Sequence, residues 1–121
     1  MQATNFKFDL SGQQEVPSVA IASKGTTWMS LTNYGLMYYV TTEGMTHDIT
    51  AAHIHRGEPR KSGLVEKTLN CNTTVRFCAG LITDMSDDQK KALLNGDMYV
   101  NVHTAANSNG EIRGQAFLTD M

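Results

Sequence analysis

His53 and His55 stand two residues apart, with Ala52 and Ile54 as their apolar neighbours. Side chains alternate across an extended strand, so the two imidazoles share one face while Ala52 and Ile54 point to the other. Their Cα atoms are then about 7 Å apart, close enough for both rings to lean onto one ion at about 2 Å. The same parity runs through Tyr99-Val100-Asn101-Val102-His103, where Val100 and Val102 supply a core face and Tyr99, Asn101 and His103 share the opposite one. If the two segments lie on neighbouring strands, His103 completes a three-imidazole metal site with His53 and His55. Three neutral nitrogen ligands, with no acidic or thiolate ligand close by in sequence, suit copper or zinc. Copper is the favoured metal because it lies above zinc in the affinity order for nitrogen sites, and zinc is the alternative. Such a site keeps one coordination position open to a small ligand.

The bland alternative is that these histidines are surface groups bonded to backbone, but a His-x-His on one strand face with a third His beside it favours metal. His47 precedes Asp48 in a turn-like stretch and reads as exposed loop, with fourth ligand as the lesser alternative. The seven methionines are scattered, without a clustered motif, and Met29, Met37 and Met98 read as core or edge packing. In Glu111-Ile112-Arg113-Gly114-Gln115, Ile112 takes the core side and leaves Glu111 and Arg113 on the polar face. Arg113 is the candidate catalytic residue, since a permanently charged guanidinium could draw a small anion toward a metal mouth. Its structural alternative is a surface pair with Glu111 or Asp97.

Elements able to carry these residues are short. β-rich runs separated by Gly, Asn and Ser recur every ten or so residues, the spacing of an all-β sandwich or barrel. The expected strands are Phe6 to Leu10, Thr26 to Thr32, Leu36 to Thr42, Ile49 to His55, Leu64 to Leu69, Phe77 to Thr83, Met98 to Thr104 and Ile112 to Leu118. Eight antiparallel strands suit a Greek-key β-sandwich. Ser86-Asp87-Asp88-Gln89 is a capping box, followed by Lys90-Lys91-Ala92-Leu93-Leu94 and stopped by Asn95-Gly96, which predicts one short helix over about 86–95. Ala92 and either Leu93 or Leu94 should pack on the sheets. Cys71 and Cys78 flank a turn-like Asn72-Thr73-Thr74 and read as a disulfide in an oxidising compartment, against two free thiols in a reducing one. Asn72-Thr73-Thr74 is also a glycosylation sequon, meaningful in a eukaryotic secretory host.

A chain of 121 residues with 40% hydrophobic content suits a single domain over residues 1–121 with one core and one site. Ten Lys and Arg face twelve Asp and Glu without a long run of either sign, which gives no support to a nucleic-acid partner or a polybasic membrane patch. No apolar stretch approaches the roughly 18 residues that span a bilayer, so membrane insertion is not expected. Residues 1–5 lack the apolar core of a signal peptide, which suits a soluble chain or a Met placed ahead of a mature secreted domain. An exposed strand edge would let two copies pair, so a homodimer is also an expectation.

Several segments carry a family resemblance: Leu10-Ser11-Gly12-Gln13-Gln14-Glu15-Val16-Pro17, Ala52-His53-Ile54-His55-Arg56-Gly57, Gly63, Tyr99-Val100-Asn101-Val102-His103-Thr104 and Gly110-Glu111-Ile112-Arg113-Gly114-Gln115. Together, from about residue 6 to 118, they resemble the CHRD domain, named after chordin and common in bacterial secreted proteins. The resemblance implies a β-sandwich and an extracytoplasmic, periplasmic or secreted location. The His-x-His-x-Gly segment, the late His and the terminal Gly-Glu-x-Arg-Gly are also similar to the copper half of copper/zinc superoxide dismutases. By that likeness His53, His55 and His103 would be copper ligands and Arg113 the superoxide-guiding arginine. No histidine lies between His55 and His103, so the bridging His and the zinc-binding loop are missing and a copper-only centre is implied. Three functions follow as expectations: a copper-dependent superoxide dismutase, a non-catalytic copper-handling protein, or an extracellular binding or structural module. A zinc hydrolase is a weaker fourth, because only Glu111 offers a general base.

Overall fold

Alternation of apolar and polar residues drives nearly every element of the computed structural model, which describes residues 3–119. In β1 (Thr4–Ser11), Phe6, Phe8 and Leu10 turn inward. In β2 (Lys24–Thr32), Thr27 and Met29 do so, and in β3 (Gly35–Glu43), Leu36, Tyr38 and Val40. β4 (Ile49–Arg56) contributes Ile49, Ala52 and Ile54, and β8 (Met98–Thr104) contributes Met98, Val100 and Val102. β5 (Val65–Thr68), β6 (Cys71–Asn72), β7 (Phe77–Ile82) and β9 (Ile112–Gln115) complete the set. The inward side chains form one hydrophobic cluster. Burying it is the main term favouring the fold, at roughly 25 cal/mol per Å² of apolar surface.

All pairings are antiparallel, in the order β5-β4-β8-β9-β1-β2-β3-β7-β6. The expected all-β, Greek-key architecture is present, with crossovers between layers wherever neighbours in space are distant in sequence. The first and last strands of the order, β5 and β6, are consecutive in the chain. Leu69 N donates to Ala52 O at 2.9 Å and Ala79 N to Asn70 O at 3.0 Å, so one short run pairs first with β4 and then with β7. That corner curls the sheet into two facing layers. The expected eight strands all occur; the ninth is two-residue β6, too short to register in an alternation pattern. The last strand stops at Gln115, although Leu118 still bridges to Phe6. The strands ending the order, β5 and β6, are four and two residues long.

The helix α1 (Asp87–Leu94) lies where the capping box predicts it. Ser86 Oγ accepts from Gln89 N at 3.0 Å and Gln89 Oε1 accepts from Ser86 N at 2.9 Å. Ala92 and Leu93 are its buried residues, while Leu94 is exposed. Cys71 and Cys78 face each other across β6 and β7 and form a disulfide, as expected. Of the methionines singled out, Met29 and Met98 are core, whereas Met37 lies exposed on the outer face of β3. No helix among the described residues is long and apolar enough to cross a membrane.

Candidate metal centre

β4 and β8 are neighbours, with His53 opposite Asn101, His55 opposite Tyr99 and His103 opposite Ala51. His53 and His55 therefore share the non-core face with Tyr99, Asn101 and His103, as alternation requires. A register shift between Ile49 and Ala51 sits beside His103 and adjusts the strand where the third ring comes in. His53 Nδ1 lies 3.2 Å from His103 Nε2. One nitrogen from each of the three rings lies within 4.8 Å of the other two. Donors about 2 Å from a common tetrahedral ion stand about 3.3 Å apart, so the rings are close to ligating positions.

The non-core face is partly covered, with His55 buried and His53 and His103 half-buried. Segment 57–64 folds over it, and Gly63 O accepts from His55 Nδ1 at 3.0 Å. Tyr99 Oη accepts from Gly63 N at 3.0 Å. The turn after β8 supplies Ser108 O, which accepts from His103 Nδ1 at 2.9 Å. A carbonyl oxygen only accepts, so in both rings Nδ1 carries the proton and Nε2 presents a lone pair. This is the arrangement of a metal-ligating imidazole whose other nitrogen is held by a backbone carbonyl. Burial, followed by the charges of His103 and His55, lowers the pKa of His53 and favours the neutral ring that a metal needs.

Asn101 stands at the meeting point of these lone pairs. Its Oδ1 lies 2.9 Å from His55 Nε2 and 3.0 Å from His103 Nε2. The sequence placed Asn101 on the right face but gave it no role. The signal available was its parity with His103 inside Tyr99-Val100-Asn101-Val102-His103.

Arg113 corrects the sequence expectation of a polar, exposed arginine. It is 2% exposed, and neither Glu111 nor Asp97 pairs with it. Its guanidinium donates to Glu58 O at 3.1 Å and Lys61 O at 2.9 Å. It also stacks on Tyr99, with Cζ 3.5 Å from the ring centroid. Tyr99 in turn lies parallel to His55 at 4.8 Å between centroids. Arg113 therefore reaches the histidines through a stack rather than through solvent. The reason is segment 57–64, whose carbonyls cover the face that alternation alone marks as polar.

Glu15, from the loop after β1, lies beside this stack and is 7% exposed. Burial raises its pKa from 4.5 to about 7 against the opposing charge of Arg113. Its Oε2 is buried without a hydrogen-bond partner. Gly110, at φ +123°, gives it room: a Cβ there would lie 2.6 Å from Glu15 Oε2 and 2.7 Å from Asn101 Nδ2. Glu111, the one expected general base, is fully buried and accepts from Thr104 Oγ1 at 2.8 Å and Asn107 Nδ2 at 3.1 Å. Burial opposes its charge, but hydrogen bonds from Ser23, Thr104 and Asn107 hold its pKa below the usual carboxylate value. His47 is exposed, with Nδ1 3.0 Å from Thr46 Oγ1. Neither Glu111 nor His47 belongs to the histidine cluster found among the described residues.

A family model of the CHRD domain matches residues 6–116. The chain belongs to the CHRD family. No curated protein and no solved structure shows a significant match to it. The matched span of this CHRD domain contains all three histidines, Asn101 and the buried Glu15 and Arg113.

Proposed function

We propose that this CHRD domain binds a single copper ion through His53, His55 and His103. The observation that carries the reading is the convergence of the three ring nitrogens, with the second nitrogens of His55 and His103 committed to the backbone carbonyls of Gly63 and Ser108. Rings held in this way keep their Nε2 lone pairs aimed at one point, which lowers the entropy lost on binding. An all-imidazole set suits copper ahead of zinc, and zinc is the alternative metal. The Cys71–Cys78 disulfide supports an extracytoplasmic setting, where oxidising conditions would keep it closed.

The test is elemental analysis of protein purified from a metal-replete culture. One copper per chain is expected, lost in His53→Ala and in His103→Ala. Wild-type protein without bound metal would instead favour a structural or binding module.

A second reading, dismutation of superoxide, draws on the half-buried state of His53 and His103, which lets a diatomic anion approach one side of the cluster. Bound copper would supply the one-electron redox couple. Arg113 lies too deep to meet an incoming anion, and in this reading its contribution is to hold Tyr99 and segment 57–64 in place. Copper-loaded protein should then dismute superoxide faster than an equal amount of albumin-bound copper. Equal rates would leave copper binding as the function.

A further inference from the structure

The buried imidazole of His55, the half-buried one of His103 and a buried amide meet with their acceptors pointing at one another. Hydrogen bonds to Gly63 O and Ser108 O take the Nδ1 protons of His55 and His103, so both Nε2 atoms are lone pairs in the neutral rings. Asn101, 4% exposed, directs Oδ1 to within 2.9 and 3.0 Å of them. An amide oxygen has no proton to offer either ring. Acceptors crowded in a buried site repel one another unless a positive centre sits among them.

The amide's orientation follows from its other side. Asn101 Nδ2 and both carboxyl oxygens of Glu15 crowd the same point beside Gly110, 2.6 to 2.9 Å from where a Cβ would stand. Turning the amide over would press its oxygen toward those of Glu15. The 2.9 and 3.0 Å from Oδ1 to the two ring nitrogens fall 0.3 to 0.4 Å short of the edge of a coordination tetrahedron, about 3.3 Å for bonds of about 2 Å, so a small outward shift of the amide would seat it beside the His53 Nδ1 and His103 Nε2 donors, which stand 3.2 Å apart.

We propose that Asn101 Oδ1 is the fourth ligand of the metal, making a centre of three imidazole nitrogens and one amide oxygen. This rests on the metal-binding reading and sharpens it: with four protein donors no place is kept open for an incoming ligand, which favours holding copper over turning over superoxide.

The test uses the full chain with one equivalent of Cu(II). Affinity is measured by competition with a chromophoric chelator. The ligand set is read from the nitrogen hyperfine pattern in electron paramagnetic resonance, before and after azide. Wild type should show three imidazole nitrogens and a spectrum that azide leaves unchanged. Asn101→Ala should keep three nitrogens, bind copper on the order of 10- to 100-fold more weakly, and take up azide with a new charge-transfer band. Asn101→Asp, which preserves an oxygen at this position, should bind at least as tightly as wild type and still resist azide. It carries the test should the Ala variant not fold. Metal-free Asn101→Ala should melt no lower than wild type, because removing a crowded acceptor costs no hydrogen bond.

Unchanged copper affinity and azide response in Asn101→Ala would overturn the assignment while leaving the three-histidine site standing, provided that His103→Ala loses copper. So would a lowered melting temperature of the metal-free Ala variant with copper binding intact, since that marks Asn101 as a structural hydrogen-bond donor. A wild-type chain that takes up no copper removes the metal reading and this inference together.

Discussion

Replacing Glu15 by Gln should change how stability depends on pH, and the structure sets both sign and size. The carboxyl is 7% exposed, one of its oxygens has no partner, and its pKa moves from 4.5 to about 7. Between those two values the unfolded chain has released a proton that the native chain retains. The unfolded state then binds fewer protons, and stability falls as pH rises. The contribution is complete below pH 4.5 and is lost as pH climbs through about 7. The displacement corresponds to about 3 kcal/mol. Gln mimics the protonated carboxyl and carries no such dependence. Urea unfolding of metal-free protein, followed through the fluorescence of the single Trp28 from pH 4 to 8, gives the two curves. The variant should match wild type at pH 4 and exceed it by about 3 kcal/mol at pH 8. All other titrating groups are common to both proteins, so the difference between the curves is what counts. Parallel curves would refute the reasoning. A wild type that gains on the variant as pH rises would show that Glu15 is ionised and held by Arg113, reversing the sign.

Arg113→Ala should cost about 3 kcal/mol or more, because it removes a buried side chain, its hydrogen bonds to the carbonyls of Glu58 and Lys61, and the packing on one side of the Tyr99 ring. A merely exposed, anion-steering arginine would cost less than about 0.5 kcal/mol in the same urea titration. Gly63→Ala would put a methyl onto the Arg56 carbonyl oxygen, so segment 57–64 must move. Calorimetry should register a loss of at least about 2 kcal/mol, and copper affinity should drop on the order of 10-fold as His55 loses its acceptor. Thr27→Val should be neutral or raise stability by about 1 kcal/mol, because the Thr27 hydroxyl is buried without a partner and Val has the same shape. Ser86→Ala should lower stability by about 1 kcal/mol in thermal unfolding, through loss of the capping box of α1.

The sequence by itself determined which face each residue of the centre takes. Alternation from Ala52 to His55 in β4 and along β8 puts His53 and His55 with Tyr99, Asn101 and His103, and it is enforced because the intervening Ala52, Ile54, Val100 and Val102 must enter the core. The helix and the disulfide were legible for similar local reasons: a capping box needs only four consecutive residues, and Cys71 and Cys78 flank a single tight turn. Tertiary structure decided everything that depends on what covers a face. Period-two patterning marks a side chain as non-core but says nothing of whether another segment folds over it. Arg113 therefore read as exposed, although Glu58 O and Lys61 O enclose it. The protons of His55 and His103 were settled in the same way, by the carbonyls of Gly63 and Ser108. Every residue but its neighbours could have supplied such a group, since all carry the same backbone oxygen, and only the folded chain selects which one arrives.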